Sequence, residues 1–516
     1  MTSAGTPILR DLFIDGLDRY GQRSAVVAGD SAWTYRHIID HANRLARYLH
    51  DAGVRAGDPV VIAMSNRAEW LVADQAVIRV GAAKVALNTM LSAREVEYIL
   101  EDSGATVALV DRALFSRVTA AKAPRLARLI CLDSTDDPRA VGWTDAIAAT
   151  PEGVGPPQVS VGADDAAMIL YTGGTTGRQK GVVHTQRTLA WTAIAHLIEL
   201  GLDDDERMLI VSPLPHATGF LAHAAMLKGA TLYVESAFDA ERVLDRIVQD
   251  RITIVFMVPT MIYRLLDRAA GRQLDVSSLR TLLYGAAPMA LDKLTQGLEL
   301  FGPVFMQLYG QSEAPDFITR LRREDHDLTK PDLLGSCGQV ATFMQLAVVD
   351  AAGNPVAPGE AGQVVAKGPY VMRGYHNMPE KTAETVRDGW LYTGDVGRLD
   401  EHGYLFLLDR TNDMIISGGM NVYSAEVESV VQTCSGVEQV GVVGLPDDDW
   451  GERVVAFVVP AAGGGGGVEE IRATCRAHLA SYKCPKEIHL VDELPVTAYG
   501  KVDKKLLRQR QASVTA

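Results

Sequence analysis

Apolar residues recur at helical spacing early in the chain. Ile38, Ala42, Leu45 and Leu49 share one face, Thr34 stands where an N-cap belongs, and Gly53 stands where a helix stops. The spacing predicts a helix over 35–52. A short unbroken apolar run follows at 59–64 (PVVIAM), as expected of a buried strand. The same rhythm returns at 95–102 with 106–110, and at 243–250 with 253–258. Strands alternating with helices predict α/β layering with much parallel sheet. No fixed-period repeat is present.

The pattern changes between 335 and 408. Helical periodicity fades, and short β-rich pieces at 346–349, 362–365 and 403–407 are separated by turn residues such as Gly353-Asn354 and Pro358-Gly359. A last unit starts near Asp409, with helices expected at 426–433 and 469–479 and strands at 437–443 and 454–459. The glycine tract inside 461–467 holds neither helix nor strand and reads as a surface loop. The predicted fold class is therefore α/β. A large N-terminal domain of layered α/β subdomains (1–408) includes a β subdomain (335–408); a junction at 409–413 precedes a small α+β domain (414–516).

Length and composition narrow the class. A chain of 516 residues exceeds the usual single domain. An apolar fraction of 47% and a charged fraction of 22% exclude a disordered or fibrous protein. The longest apolar runs, including 166–171 and 454–459, are too short to span a membrane, so no integral membrane association is expected. The start, MTSAGTPILRDLF, lacks a cationic stretch followed by an apolar core, so no secretory leader is expected. Fifty Lys and Arg against 64 Asp and Glu give a net charge of −14, which argues against nucleic acid as a partner but not against a nucleotide. Five cysteines without CxxC spacing point to a reducing, cytoplasmic compartment and no structural zinc.

Five short segments carry candidate chemistry. Residues 171–181 (YTGGTTGRQKG) follow an apolar run and combine four glycines, two adjacent threonines (Thr175 and Thr176) and Lys180. Such a loop turns backbone N–H groups inward and suits a polyphosphate. It is not a Walker loop, because Lys180 is followed by Gly181. Residues 309–313 (YGQSE) follow another apolar run and set an aromatic ring, a hydroxyl and a carboxylate at a strand end, where open α/β sheets bind ligands. Tyr392–Asp395 (YTGD) places an acid after a tight turn, as a partner for ribose hydroxyls. Residues 409–421 (DRTNDMIISGGMN) put Arg410 beside Gly418 and Gly419 at the expected junction. Residues 495–501 (PVTAYGK) end on Lys501; each of the last four segments, alone, also fits an ordinary solvated turn or linker.

In this order and spacing the five segments resemble the adenylate-forming superfamily of acyl-CoA synthetases, peptide-synthetase adenylation domains and luciferases. The resemblance covers 34–508 and is greatest to bacterial acyl- and aryl-CoA ligases, through residues 413–428 (DMIISGGMNVYSAEVE) and 445–452 (LPDDDWGE). It implies that a carboxylate attacks the α-phosphorus of ATP, forming an acyl-adenylate and pyrophosphate. The thiol of coenzyme A then displaces AMP. The implied cofactors are ATP, Mg2+ and coenzyme A, and a homodimer is left open.

The resemblance also implies roles. Thr172, Gly173, Gly174, Thr175, Thr176, Gly177 and Lys180 would hold the β- and γ-phosphates. Tyr309, with Gly310 beside it, would stack on adenine next to Gly285, Ala286, Ala287 and Pro288. Ser312 would contact the α-phosphate and Glu313 the magnesium, while Asp395 and Arg410 would hold the ribose. Lys501 would bridge the substrate carboxylate and the α-phosphate, and His216 would gate the acyl pocket. Asn412 would be the hinge of a small domain that swings between half-reactions. Gly419 would line the pantetheine tunnel, with Trp450, Lys483 and Lys486 on the coenzyme A nucleotide.

Departures from the family pattern include Gly173 for serine, Gln179 for proline, Ser312 for threonine and Pro215 for an aromatic residue. None removes a charge. The stretch 216–219 offers no acid to pair with an ammonium, which disfavours an α-amino acid substrate. Two alternatives stay open here: a ligase that stops at the adenylate, and a nucleotide-binding relative without catalysis.

Overall fold

The helix expected after Thr34 runs Tyr35–Asp51, and the Thr34 hydroxyl accepts from the His37 N–H at 3.3 Å. Ile38, Ala42, Leu45 and Leu49 are all buried. The strand after it is Pro59–Ala63. The other expected pairs appear as Ala93–Ser103 with Val107–Val110, and Ala240–Gln249 with Ile254–Met257. The computed structural model describes residues 5–172, 179–410, 413–418, 420–447, 449–461, 467–497 and 502–512. By residue range the chain divides into two compact units, one of 1–172, 179–346 and 366–391, the other of 347–365 and 392–516.

The first unit is built on two large sheets. One has nine strands in the order Gln339–Val340, Ala314–Leu321, Phe305–Gln311, Thr281–Gly285, Ile254–Met257, Arg207–Ile210, Thr231–Val234, Ser24–Ala28, Ser31–Thr34. The six strands from Phe305–Gln311 to Ser24–Ala28 are parallel, and antiparallel strands finish both edges. The other sheet has eight strands, from Gly374–Tyr375 through Lys180–Thr185 and Ala166–Thr172 to Ala140–Gly142. Crossover helices cover these sheets, which is why the central strands read as near-continuous apolar runs. The helix Ala68–Val80 is buried along its length apart from Glu69, and it carries Asp74 into the core. There Asp74 bonds Lys84 and, at 2.7 Å, His223, so the buried charge is matched.

The second unit ends in a five-stranded α+β sheet. Its path is Met420–Val422, Ile415–Ser417, Gly451–Pro460, Val437–Asp447, with Glu487–Leu490 added in parallel to Gly451–Pro460. The helices Ser424–Gln432 and Val468–His478 supply Val427, Val431, Ile471 and Cys475 to the core on one face. No helix among the described residues is long and apolar enough to cross a membrane.

Candidate active site

The segment 309–313 lies where the parallel strand Phe305–Gln311 ends and turns into the antiparallel strand Ala314–Leu321. Its neighbour Thr281–Gly285 ends at the same level, Gly285 facing Leu308 in the ladder. A Cβ on Gly285 would stand 2.5 Å from the Leu308 carbonyl oxygen, so only glycine allows this approach. Ala286, Ala287 and Pro288 follow it, exposed, and Tyr309 is buried. Gly310 is equally constrained, because a Cβ there would meet the Asp316 backbone at 2.6 Å. Asp316 itself bonds the buried His196 at 2.9 Å.

The turn Ser312–Glu313 is held from three sides. The His184 ring donates from Nε2 to the Ser312 carbonyl at 2.7 Å. Complete burial pushes the His184 pKa down to about 4, so the ring is neutral at physiological pH. The Met372 N–H donates to the Glu313 carbonyl at 2.8 Å, and the Tyr375 hydroxyl donates to Glu313 Oε1 at 2.6 Å. Burial, with the Glu313 charge and bond added, raises the Tyr375 pKa and keeps the hydroxyl protonated. The same hydroxyl accepts from Lys180 Nζ at 3.1 Å, and that ammonium lies 4.5 Å from the centre of the Tyr375 ring.

The two ends of the glycine-rich loop are described; residues 173–178 lie outside the described part. Thr172 and Lys180 face each other across an antiparallel ladder. The helix Ala93–Ser103 braces both ends. Glu95 accepts from Gln179 Nε2 at 3.0 Å, Tyr98 donates to the Gln179 carbonyl at 3.0 Å, and Tyr171 donates to Asp102 at 2.6 Å. Gln179, which stands where the family usually has proline, is buried and held by these bonds.

His216 stands at the N-terminal boundary of the helix Ala217–Leu227, after the strand Arg207–Ile210, without a side-chain cap to it. Its Nε2 is 3.0 Å from Asn88 Nδ2. The Met90 N–H donates to Asn88 Oδ1 at 3.0 Å, which turns the amide nitrogen toward the ring. His216 Nε2 therefore accepts, and the ring proton is on Nδ1. Burial pushes the His216 pKa down to about 4.

Other predicted residues belong to the second unit. Asp395 and Arg410 are cross-strand partners and form an ion pair at 3.1 Å, the carboxylate buried and the guanidinium exposed. Trp450 lies against Gly418, which has φ +60°; a Cβ there would meet the indole at 2.8 Å. Lys486 Nζ lies 4.4 Å from the centre of an indole ring of Trp450. Lys483 does not join this pair, because its ammonium bonds both Glu426 oxygens at 2.7 Å. Asn412, Gly419 and Lys501, like Gly173–Gly177 of the loop, lie outside the described residues.

Sequence reasoning missed Tyr375, His184 and Asn88. None stands in a dense polar motif, and each reaches its partner across a long stretch of chain. The Gly374-Tyr375 pair was the one local hint, a glycine before an aromatic residue in a β-rich stretch.

Among the described residues no three His, Cys, Asp or Glu converge as a metal cage. A single carboxylate, Glu313, which shares the Tyr375 hydroxyl with the Lys180 ammonium, would suit a magnesium ion that takes most of its ligands from phosphate and water.

Layered, largely parallel sheets with a hydroxyl–carboxylate turn where a central strand ends are the setting in which open α/β enzymes bind nucleotides. The chain belongs to the AMP-binding enzyme family, whose profile matches residues 14–376, and the profile of the AMP-binding enzyme C-terminal domain matches 426–501. It is 40% identical over 491 residues to a feruloyl-CoA synthase of Amycolatopsis sp, covering 94% of this chain and 96% of the relative. It is 35% identical over 512 residues to a medium/long-chain-fatty-acid–CoA ligase of Mycobacterium tuberculosis, covering 97% and 89%. The ATP-bound structure of MatB from Rhodopseudomonas palustris superposes with a TM-score of 0.89 at 29% identity, covering 99% of this chain and all of that one (100%). The protein is thus an enzyme, an AMP-forming acid–thiol ligase that uses ATP, magnesium and coenzyme A to convert an aromatic or aliphatic carboxylic acid to its CoA thioester.

Proposed function

We propose that the acid is an aromatic or medium-length aliphatic monocarboxylate, with ferulate-like phenylpropenoates the first to test. Two things support this. The segment after His216 offers Ala217, Thr218, Gly219 and Phe220, with no charge to meet a second ionic group. A feruloyl-CoA synthase is also among the relatives, at 40% identity.

We further assign the site. The observation that carries it is the meeting of Lys180, Tyr375 and Glu313 at one point. The reaction brings an anion to a polyanion, so cations and N–H donors must carry it. Thr172, Gly173, Gly174, Thr175, Thr176, Gly177 and Lys180 hold the β- and γ-phosphates. Ser312 contacts the α-phosphate, and Glu313 takes the magnesium, which screens phosphate charge. Tyr309 stacks on adenine beside Gly285–Pro288, with Gly310 permitting the fit. Asp395 and Arg410 hold the ribose, and His216 gates the acid. In this reading domains 1–408 and 414–516 alternate about 409–413, with Asn412 as hinge. Lys501 serves adenylation; Gly419, Trp450 and Lys486 serve coenzyme A. Lys483 acts through Glu426 rather than directly. We place the enzyme in the cytoplasm, supported by five unbridged cysteines. Light scattering tests the homodimer that the sequence left open.

The test is exchange of labelled pyrophosphate into ATP, with an acid panel of ferulate, cinnamate, benzoate and C6–C12 fatty acids. Mass spectrometry then reads the CoA products. Acid-dependent exchange followed by thioester is expected; no exchange with any acid would overturn the site assignment. Lys501→Ala should cut adenylation by roughly a hundredfold or more, since it removes a charge that acts in the transition state. Thioester formation from a preformed adenylate should be spared. Equal loss of both half-reactions would contradict two working conformations.

A further inference from the structure

Resting on the site assignment above, one residue gains a role that the motifs do not give it. Residues 372–376 form a strap between two parts of the first unit. On one side Gly374 and Tyr375 pair antiparallel with Val183 and Val182, on the strand Lys180–Thr185 that leaves the phosphate loop. The Arg373 N–H donates to the Val183 carbonyl at 2.9 Å and the His376 N–H to the Gly181 carbonyl at 2.7 Å. On the other side the Met372 N–H holds the Glu313 carbonyl at 2.8 Å. The strap therefore fixes the strand that carries Lys180 and the turn that carries Glu313 in one frame. Tyr375 is buried in it, with its own N–H bonded to Thr382 Oγ1 at 2.8 Å.

The Tyr375 hydroxyl stands between an ammonium and a carboxylate, accepting from Lys180 at 3.1 Å and donating to Glu313 Oε1 at 2.6 Å. Each bond uses only part of its partner. A lysine ammonium has three donors, of which the bond to Tyr375 takes one. A carboxylate has two oxygens; Oε2 of Glu313 makes no hydrogen bond among the described residues. A cation and an anion in a half-buried site would otherwise close on each other, and ATP would then have to break that pair. A neutral hydroxyl satisfies both without cancelling either.

We propose that Tyr375 is a positioning residue for MgATP: its hydroxyl keeps Lys180 and Glu313 apart and aimed, the ammonium at phosphate and Glu313 Oε2 at the metal that ATP brings. Carboxylates that ligate metals are commonly oriented by such a donor on the other oxygen. The residue touches neither acid nor thiol and acts through its two charged neighbours.

Tyr375→Phe tests this, because it keeps the ring, its packing and the contact with the Lys180 ammonium while removing the hydroxyl. The readout is equilibrium binding of a fluorescent ATP analogue, titrated with Mg2+. We expect MgATP affinity to fall, and the Mg2+ concentration for half-saturation to rise, by roughly tenfold. Conversion of a preformed acyl-adenylate to thioester should run at the parent rate, which general damage to the fold would not permit. In a Glu313→Gln background the added Tyr375→Phe should change the Mg2+ dependence by less than twofold, since the hydroxyl acts through that carboxylate. Tyr375→Phe with parental affinity and parental Mg2+ dependence would overturn the proposal, while a weakened Glu313→Gln would leave the site assignment standing. If Glu313→Gln also bound like the parent, the assignment of the metal carboxylate would fall with it.

Discussion

At the scale of single residues, the polar and charged candidates for the proposed site were legible in the sequence and the side chains that hold them were not. Lys180, Ser312, Glu313, Asp395 and Arg410 stand in short polar segments next to apolar strands, so spacing exposes them. Tyr375 lies 62 residues from Glu313, and His184 lies 128 from Ser312. A lone tyrosine or histidine carries no sign of such a partner. Asn88 is the same kind of case. Its amide fixes the His216 ring as a neutral acceptor, and burial holds that ring's pKa near 4. The sign is clear: a histidine whose pKa is lowered to about 4 is neutral at physiological pH, so in the proposed gating role it presents no cation to the acid. The pH–rate profile of adenylation should therefore show no inflection from His216 between pH 6 and 8, roughly the range in which an ordinary histidine titrates. Asn88→Ala should release the ring and lower kcat/KM for the acid by roughly tenfold, in line with one lost buried hydrogen bond. The KM for ATP should not change, and steady-state kinetics with each substrate varied would separate the two.

At the scale of elements, type was legible and termini less so. The helix expected over 95–102 runs Ala93–Ser103, because Ser92 and Glu95 form a reciprocal cap that the apolar periodicity does not contain. The same Glu95 accepts from Gln179, at the end of the glycine-rich segment 171–181. One side chain thus starts a helix and braces a loop that the sequence places in separate elements. Glu95→Ala should cost about 1–2 kcal/mol of stability through the cap and the buried bond. It should also raise the KM for ATP, while Ser92→Ala should affect stability alone. Thermal melting and ATP kinetics on both variants check the difference. The junction between Gly310 and Asp316 is another feature of element packing, because the close approach of their backbones becomes visible only when the two strands are paired.

For the whole molecule, the buried ionisable groups set an acid limit. Burial holds His184, His216 and His326 down to about 4, and it also lowers His223. The unfolded chain returns them to about 6.5. Between those values the unfolded state binds more protons, so stability is lost as pH falls from about 6.5 toward 4. Asp316 and Glu428 are raised by burial and oppose this, but they are fewer. Calorimetric unfolding at pH 5.5 in buffers of different ionisation enthalpy should show net proton uptake, and net release would refute it. The same long-range contacts divide what could be read from what could not. The order of helices and strands and the charged candidates for the proposed site follow from the sequence itself. They depend on periodicity and on residue type within a few positions, and both are local. Which tyrosine separates Lys180 from Glu313, which histidine carries the Ser312 carbonyl, and which amide sets the His216 tautomer were decided only by tertiary structure. Each depends on strands far apart in the chain being laid side by side, and the polarity of one residue does not reveal which distant group will need its hydrogen bond.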